Sequence, residues 1–358
     1  MTRLATQRRR SPSAHARGAF ALLLGASLVL TGCTSERPAA EAPAESSLVV
    51  SKAESGAFPV SLEHAFGTFA LEKAPERIVT IGWASEDIAV ALGITPVAVP
   101  VSWAGDDDGL VPWFREAVES AGSPIPATLT DLGGGEIDFE QILALRPDAI
   151  IAPFSGITDV QYERLAEIAP TLAYPEKPWY LDWQEHTEFI GEALGRPALA
   201  KQLVAETQQD IAQHGSEHPE FAESTFVYST GVSESGTDVG FYAPTTSLIG
   251  IIEDLGLTLS PQVAERAQKF PDELYFGVSL EEIDEVEADV FLGLVNNQDE
   301  VDLALAQSLF RKWQPIANDR AVWLTDREVS QAVAAPSVLS VPWVLDEFVP
   351  EVADALQR

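Results

Sequence analysis

The chain has 358 residues, of which 46% are hydrophobic, and a formal net charge of −33. Removing the five arginines of residues 1–32 leaves 17 basic side chains against 55 acidic ones, which lowers the net charge to −38. A surface this acidic repels nucleic acid and anionic lipid headgroups, so the composition excludes proteins that bind phosphate backbones.

The first 33 residues predict export and attachment to a lipid. Residues 1–32 contain no acid, and the apolar run 19–30 has the length of a signal-peptide core rather than of a membrane span. Residues 30–33 (Leu-Thr-Gly-Cys) resemble the lipobox of bacterial lipoproteins, which implies diacylation of Cys33 and a location on the outer face of the cell membrane. A plain secretory signal is the alternative. Cys33 is the only cysteine, so a disulfide framework and a thiolate metal cluster are excluded.

Residues 33–56 are rich in Ala, Glu, Ser and Pro and predict a disordered tether. The roughly 300 residues that follow suffice for two lobes of ordinary size. Residues 59–73 alternate in hydropathy and predict an edge hairpin. Short apolar runs then alternate with helical patterns, which is the rhythm of parallel βαβ units. The predicted strands cover 77–81, 96–99, 149–152, 171–174, 225–228, 290–294 and 321–324, and the predicted helices begin at Ser85, Asp138, Asp159, Thr246, Glu300 and Pro336.

Between these halves, residues 183–215 predict a helical connector. Its second helix begins at Pro197, and Leu199, Leu203, Thr207 and Ile211 recur every four residues on one face. A helix of this length spans roughly 25 Å, and it either joins two lobes or packs on one of them. The predicted domains are an N-terminal lobe (57–182), this connector and a C-terminal lobe (216–358).

Two segments, one in each half of the chain, repeat one pattern. Residues 138–142 (Asp-Phe-Glu-Gln-Ile) precede Asp148, and residues 279–283 (Ser-Leu-Glu-Glu-Ile) precede Asp289. Each segment predicts a helix cap, a glutamate in the first helical turn, a short apolar turn and then an aspartate just before a strand. A repeat at half-chain spacing indicates two similar lobes with a cleft between them.

With the lipobox and the tether, residues 75–81 (Pro-Glu-Arg-Ile-Val-Thr-Ile), 91–97, 140–148 and 190–195 resemble the substrate-binding lipoproteins of ABC importers for iron-siderophores. The resemblance covers essentially everything after the tether. It implies an α/β fold of two Rossmann-like lobes joined by a single long α-helix, with the ligand in the cleft. It also implies a monomer without a cofactor or catalysis of its own, which passes its ligand to permease subunits.

In the proteins that the chain resembles, one surface glutamate of each lobe docks onto permease arginines, and the matching positions are Glu140 and Glu281. Carboxylate-to-guanidinium pairing is charge-assisted and often bidentate, so two contacts also set the orientation. A structural role is the alternative, because first-turn glutamates complement a helix dipole and Ser279 with Glu282 reads as a capping box. Glu282 could also take the place of Glu281.

Ligands of open α/β sheets lie beyond the carboxyl ends of the strands, so residues that follow the predicted strands are candidates for the cleft. Aromatic faces suit a bulky ferric chelate, and amide or guanidinium donors can meet its iron-bound oxygens. Each aromatic could instead belong to a lobe core, as we expect for Trp113 and Trp323. The predicted ligand-binding residues are Trp83, Trp103, Phe154, Trp179, Tyr180, Tyr228, Tyr242, Asn296 and Arg327.

The predicted cleft loops carry few bases, only Arg327 and Lys177, which favours a neutral or cationic hydroxamate chelate over a trianionic catecholate. Haem and cobalamin remain alternatives. Capture of a bare metal is disfavoured, because no predicted cleft loop carries a histidine and residues 215 and 219 (Gly and Pro) predict that the helix ends between His214 and His218.

A chelatase-like enzyme of the same architecture is a further alternative, as is an adhesive surface lipoprotein. A chelatase would need a histidine and an acid that converge in the cleft, and no cleft loop offers that pair. The sequence also has no Gly-x-Ser-x-Gly elbow and no phosphate loop, and the glycines of residues 133–135 lack the spacing of a dinucleotide fingerprint. The sequence therefore predicts a binding protein rather than an enzyme.

Overall fold

A computed structural model describes residues 49–130 and 137–358. The predicted signal peptide, Cys33, the first part of the tether and the glycines of residues 133–135 lie outside the described residues. The elements up to residue 173 are called the N-terminal lobe. They are β1 (Val60–His64), β2 (Gly67–Leu71), β3 (Ile78–Thr80), α1 (Ser85–Ala91), β4 (Ala98–Pro100), α2 (Pro112–Ser120), β5 (Ala127–Leu129), α3 (Phe139–Leu145), β6 (Ala149–Ala152), α4 (Asp159–Ala166) and β7 (Thr171–Ala173).

Two consecutive helices follow, α5 (Trp183–Ala193) and α6 (Pro197–Glu217). The remaining elements are called the C-terminal lobe, which also contains 3₁₀ turns at Pro219–Glu223, Ile283–Glu285 and Phe310–Lys312. They are β8 (Thr225–Val232), β9 (Asp238–Tyr242), α7 (Ser247–Asp254), β10 (Thr258–Leu259), α8 (Pro261–Ala267), β11 (Tyr275–Ser279), β12 (Val290–Leu294), α9 (Gln298–Ala306), α10 (Gln314–Ala317), β13 (Ala321–Leu324), α11 (Arg327–Ala334) and α12 (Ser340–Leu356).

The sheet of the N-terminal lobe has five parallel strands in the order β5-β4-β3-β6-β7. Every residue of β3, β4, β6 and β7 is buried, and these strands are nearly continuous apolar runs, as expected where helices cover both faces of a sheet. The predicted hairpin is present as β1 and β2, which form a separate antiparallel pair.

The sheet of the C-terminal lobe has the order β11-β9-β8-β12-β13, with β10 beside β8. Strands β8, β10, β12 and β13 are parallel, whereas β9 runs antiparallel between β8 and β11. The sequence predicted β8, β12 and β13 but missed β9 and β11. Gly240 and Gly277 interrupt these two strands and face each other across them, which weakens the side-chain pattern that identifies a strand.

Helix α6 connects the lobes. Its 21 residues span about 31 Å, and it contacts α5 at one end and both α7 and α12 of the C-terminal lobe. The helix continues through Gly215 to Glu217, so the connector extends beyond its predicted boundary at residue 215. Glycine is required at position 215, because a Cβ atom would lie 2.3 Å from the carbonyl oxygen of Leu255.

Across the described residues, every helix is too short or too polar to cross a bilayer.

The lobes also meet in a second, non-covalent contact. Trp113 of α2 packs against Trp343 of α12 with 5.0 Å between ring centroids. The carboxylate of Asp87 on α1 accepts a hydrogen bond of 2.7 Å from Ser337, which precedes α12. The hydrophobic core of the C-terminal lobe therefore continues into α2.

The first repeated segment folds as predicted and the second does not. The side chain of Asp138 caps α3 by accepting a hydrogen bond from the amide of Gln141 at 2.9 Å. Ser279 instead ends β11, and residues 280–285 form turns and one 3₁₀ turn rather than an α-helix. The predicted capping box is absent, because no α-helix begins at Ser279, and Glu282 instead pairs with Arg266 at 3.1 Å.

The aspartates that end the two repeats have one structural role. The carboxylate of Asp148 accepts hydrogen bonds of 2.8 Å from the amides of Glu76 and Arg77, just before β3. The carboxylate of Asp289 accepts bonds of 2.8 Å from the amide and the hydroxyl of Thr225, at the start of β8. Each aspartate thus ties a central strand to its neighbour at the amino edge of the sheet.

Residues 49–56, which the sequence assigned to the tether, are bonded to the folded body. The amide of Ser51 donates to the carbonyl of Gly93 at 2.7 Å, and the guanidinium of Arg196 donates to Ser51. The carboxylate of Glu54 accepts bonds of 3.0 and 3.1 Å from the amides of Ala198 and Leu199, in the first turn of α6. The prediction of a disordered tether is therefore wrong for residues 49–56.

We expect Glu54→Ala to lower the free energy of unfolding by about 1 kcal/mol, because the first turn of α6 loses a capping carboxylate. Urea denaturation followed by circular dichroism measures the change. Glu72→Ala is the matched control, since Glu72 is exposed and its side chain forms no hydrogen bond or ion pair within the described residues. Equal stability of the two variants would show that Glu54 does not stabilise α6.

Candidate ligand-binding site

A cavity of about 570 Å³ lies between the lobes, a volume within the range of small-molecule sites. It is called the aromatic chamber. The chain before α5 contributes four aromatic side chains, and the C-terminal lobe contributes two tyrosines with apolar and hydroxyl side chains. The lining residues are Trp83, Trp103, Phe154, Trp179, Tyr242, Thr246, Ser247, Leu274, Tyr275, Leu294, Val295, Asn296 and Ala334.

The loops after β3 and β6 form one wall of the chamber. The amide of Trp83 donates to the carbonyl of Phe154 at 3.0 Å, which joins the two loops. Gly82 makes this approach possible, because its φ is +92° and a Cβ atom would lie 2.1 Å from the Phe154 carbonyl oxygen. Trp83 and Phe154 follow the carboxyl ends of β3 and β6, and both line the chamber, as expected for a ligand site of an open α/β sheet.

Trp179 completes this wall. Its ring centroid lies 5.3 Å from that of Trp83 and 5.3 Å from that of Phe154, which it meets edge to face. Its backbone has a φ of 64°, which is uncommon for a residue other than glycine. The indole also packs over Gly156, where a Cβ atom would lie 3.0 Å from its Nε1 atom. Contacts on several sides therefore hold Trp179 in this conformation.

Tyrosines of β9 and β11 form the opposite wall. Tyr242 and Tyr275 are neighbours in the antiparallel ladder, with ring centroids 6.2 Å apart. Burial raises the pKa of Tyr242 to about 12, so its phenol is protonated at neutral pH. Tyr275 was not predicted, because β11 was not predicted. The one signal for this strand is the pair Phe276 and Val278, two apolar residues on either side of Gly277.

Three of the predicted ligand residues, Tyr180, Tyr228 and Arg327, do not line the chamber. Tyr228 is fully buried behind Tyr242, with 5.3 Å between ring centroids, and its hydroxyl has no hydrogen-bond partner among the described residues. Tyr180 lies in a separate groove beside Glu185 and Glu188. Asn296 does line the chamber, but its amide group donates to Glu300 at 2.8 Å.

A second compartment of about 600 Å³, called the charged annex, adjoins the chamber and shares Trp83 and Trp103 with it. The guanidinium of Arg327 lies 5.5 Å from the ring centroid of Trp103, and no carboxylate pairs with it in the part of the chain that the structure describes. Residues 106–108 (Asp-Asp-Asp) line the other side. Arg115 pairs with the first and third of these aspartates at 2.7 and 2.8 Å, which leaves Asp107 unpaired.

Lys177, the other base that the sequence placed near the cleft, is already neutralised. Its ammonium group forms an ion pair with Asp272 of the C-terminal lobe and lies over the ring of Tyr180. Among the residues that line the chamber and the annex, Arg327 is therefore the one basic side chain.

The histidines of the described residues lie outside the chamber. His186 is buried, its Nε2 atom is 3.1 Å from the hydroxyl of Ser85, and burial lowers its pKa to about 3, so it is neutral at physiological pH. His214 contacts Asp346, whereas His218 contacts Glu220. Within residues 49–130 and 137–358, no three His, Cys, Asp or Glu side chains are grouped so that they could hold a metal ion.

Glu140 and Glu281 both lie at the carboxyl edges of their sheets, Glu140 beside the end of β5 and Glu281 two residues after the end of β11. The side chain of Gln141 donates to the carbonyl of Thr128 at 3.0 Å, which places the first turn of α3 beside the end of β5. The amide of Leu280 donates at 2.9 Å to the turn between β8 and β9. Both glutamates are exposed, and neither side chain has a partner among the described residues.

The sequence profile of the periplasmic binding protein family matches residues 78–316, which is more than half of the chain. This chain belongs to the periplasmic binding protein family. The family resemblance and the α/β two-lobe fold class predicted from the sequence are confirmed.

Three relatives illustrate the family. The chain is 28% identical over 263 residues to the achromobactin-binding periplasmic protein of Dickeya dadantii, an alignment that covers 70% of this chain and 79% of the relative. It is 26% identical over 272 residues to the probable siderophore-binding lipoprotein YfiY of Bacillus subtilis, covering 75% of this chain and 76% of that one. The crystal structure of Streptococcus pneumoniae PiaA with ferrichrome superposes with a TM-score of 0.74 at 27% identity, covering 83% of this periplasmic binding protein and 99% of PiaA.

Proposed function

We propose that this periplasmic binding protein captures a ferric siderophore outside the cell membrane and delivers it to the permease of an ABC importer. The observation that carries the proposal is the aromatic chamber, a cavity between the lobes with six aromatic side chains on its walls. Relatives named for achromobactin, siderophores and ferrichrome support the same ligand class.

The chamber suits a bulky organic chelate better than a bare ion. A volume of about 570 Å³ is far larger than a hydrated cation needs, and aromatic faces bury much apolar surface with little loss of conformational entropy. Among the described residues that line it there is neither a histidine nor a carboxylate. This lining offers no acid and base for a chelatase reaction, so we infer a binding protein without turnover.

The charges around the cleft favour a neutral or cationic chelate of the hydroxamate type. Arg327 is the single unpaired guanidinium among the described residues that line the chamber and the annex, and it lies over Trp103, where it can donate to an iron-bound oxygen of the ligand. Asp107 faces the same annex without a partner. A trianionic catecholate complex would bury three negative charges against one guanidinium and close to this aspartate, which is unfavourable.

We infer that Cys33 carries the lipid anchor and that Glu140 and Glu281 bind arginines of the permease. The anchor rests on the lipobox-like residues 30–33. Docking is supported by the position of both glutamates at the carboxyl edges of their sheets and by the absence of a partner for either within the described residues. Glu282 is the weaker candidate because Arg266 already neutralises it.

Fluorescence titration with ferric hydroxamates, catecholates and carboxylates, haem and cobalamin tests the ligand. We expect saturable quenching without turnover, strongest for a hydroxamate complex, because three tryptophans line the chamber. Trp179→Phe should reduce the quenching. Trp323→Phe should not, since Trp323 packs against Phe291 and Phe310 instead. Exclusive binding of haem or cobalamin, or release of a product, would contradict the proposal.

A further inference from the structure

A small cavity behind the aromatic chamber contains buried oxygen atoms that lack hydrogen-bond donors. It has a volume of about 20 Å³, room for about one water molecule, and it lies between α1 of the N-terminal lobe and α11 of the C-terminal lobe. Three lining side chains, Glu86, Asp87 and Gln331, each have one buried oxygen atom without a partner. Asp87 is 3% exposed and Gln331 is 7% exposed. Buried acceptors without a hydrogen bond cost free energy. These three oxygen atoms therefore need a hydrogen-bond donor that the described residues do not supply.

Asp87 holds the two lobes together at this place. Its Oδ2 atom accepts a hydrogen bond of 2.8 Å from the indole of Trp113 and one of 2.7 Å from the hydroxyl of Ser337. Ser337 in turn accepts bonds from the amides of Leu339 and Ser340, at the start of α12. The Oδ1 atom of Asp87 faces the cavity without a partner. Glu86, Asp87, Trp113, Gln331 and Ser337 are called the interlobe joint.

No positive charge balances the interlobe joint among the described residues. Glu86 is the other acid, whereas α2, the loop at Ser102, α11 and the segment before α12 present Trp113, Ser102, Gln331 and Ser337, none of them charged. Arg327 lies one helical turn before Gln331, but its guanidinium faces the charged annex over Trp103.

We propose that the interlobe joint binds a proton, and that loss of this proton to solvent weakens the contact between the lobes. A proton on the Oδ1 atom of Asp87 turns an unpaired acceptor into a donor that faces the cavity. Without the proton, Asp87 is a buried charge with two hydrogen bonds and no counter-ion, and opening the joint lets water hydrate it.

The direction of the pH dependence follows from the environment of Asp87. Burial raises its pKa from the ordinary 3.8 to about 7, although the hydrogen bonds from Ser337 and Trp113 oppose the rise. Burial and the neighbouring charge of Asp87 also raise the pKa of Glu86. The closed joint therefore binds the proton more tightly than the open joint. Its extra stability is complete below about pH 4, declines from there to about pH 7 and is absent above pH 7.

Hydrogen exchange of the full-length chain without ligand tests the proposal, with the amides of Leu339 and Ser340 as reporters. After correction for intrinsic exchange, their protection should fall about tenfold per pH unit between pH 5 and 7 and level off above pH 7. Glu86→Gln combined with Asp87→Asn should remove this dependence, because both side chains keep an oxygen acceptor and neither amide titrates. Trp113→Phe should move the levelling point to higher pH, since the lost indole hydrogen bond favoured the ionised carboxylate, and the reporter amides keep Ser337 as their acceptor.

Glu119→Gln on α2 is the matched control and should exchange like the wild type, because Glu119 is exposed and outside the joint. A pH dependence that persists in the double variant Glu86→Gln with Asp87→Asn would overturn the proposal. So would protection that changes with sodium, magnesium or calcium at constant pH and ionic strength, because a metal cation would then occupy the cavity.

The joint also bears on the proposed function, because Trp83 and Trp103 line both its cavity and the aromatic chamber. This extension rests on the proposed function. A weakened joint should lower ligand affinity above pH 7 in the wild type but not in the double variant Glu86→Gln with Asp87→Asn. The measurement uses a chelate whose iron complex is stable at that pH. The exchange measurement uses no ligand, so a failure of ligand binding leaves the test of the joint intact.

Discussion

Reversing the charge of both glutamates that we propose for docking, Glu140→Lys with Glu281→Lys, should abolish siderophore-dependent iron uptake and leave ligand affinity unchanged. Each exposed carboxylate would lose a charge-assisted bond to a permease arginine and set a like charge against it. Like charges across an interface are strongly unfavourable, and each loss of about 1.4 kcal/mol weakens binding tenfold. Each single reversal should reduce uptake only in part, because the other contact remains.

Ligand affinity should not change, because neither glutamate lines the aromatic chamber or the charged annex. Uptake of radioactive ferric siderophore by cells measures the first effect, and fluorescence titration of the purified variant measures the second. Glu163→Lys with Glu347→Lys is the matched control, with the same change in net charge at one exposed position in each lobe. Normal uptake by the docking variant, or equal loss in both double variants, would show that these glutamates do not dock.

Removing the central indole of the chamber, in Trp179→Ala, should weaken ligand binding by about 30-fold or more. Truncating a large aromatic side chain in the centre of a binding surface costs about 2 kcal/mol or more, and a tenfold loss of affinity corresponds to about 1.4 kcal/mol. The substitution also removes the support that Trp179 gives to the rings of Trp83 and Phe154. Trp179→Phe keeps an aromatic face. Its loss of binding free energy should therefore be less than about a third of the loss in Trp179→Ala.

Isothermal titration calorimetry with the best ligand of the panel measures these affinities without relying on the fluorescence of the residue that is replaced. Tyr180→Ala is the matched control, because Tyr180 follows Trp179 in the chain but lies in a different groove. If Trp179→Ala binds as tightly as the wild type, the aromatic chamber is not the ligand site.

Much of the N-terminal wall could be predicted from the chain alone. The strands of a sheet covered on both faces are nearly continuous apolar runs, so β3 and β6 were recognisable, and the residues that follow them led to Trp83 and Phe154. The opposite wall was harder to predict, because glycines interrupt β9 and β11 and hide the alternation of apolar and polar residues. Tyr242 was therefore predicted as a loop residue, and Tyr275 was missed.

Other features depend on contacts between residues far apart in the chain. Ser337 and Asp87 are separated by 250 positions, and no local pattern indicates that they form a hydrogen bond. The preference for Glu281 over Glu282 as the proposed docking residue likewise depends on Arg266, which pairs with Glu282 but not with Glu281. No pattern in the sequence indicated that Lys177 has a partner. The structure shows that it forms an ion pair with Asp272, far away in the chain.

Periodicity, composition and the ordered motifs were sufficient for the family, the α/β fold and the position of the cleft, because buried strands and helix faces impose short-range patterns on the chain. Folding alone decided which polar groups are paired and which are free. Pairing depends on side chains brought together from distant segments, and burial then changes what each carboxylate or phenol can do. The free guanidinium of Arg327, the buried hydroxyl of Tyr228 and the proton site at Asp87 all arise in this way.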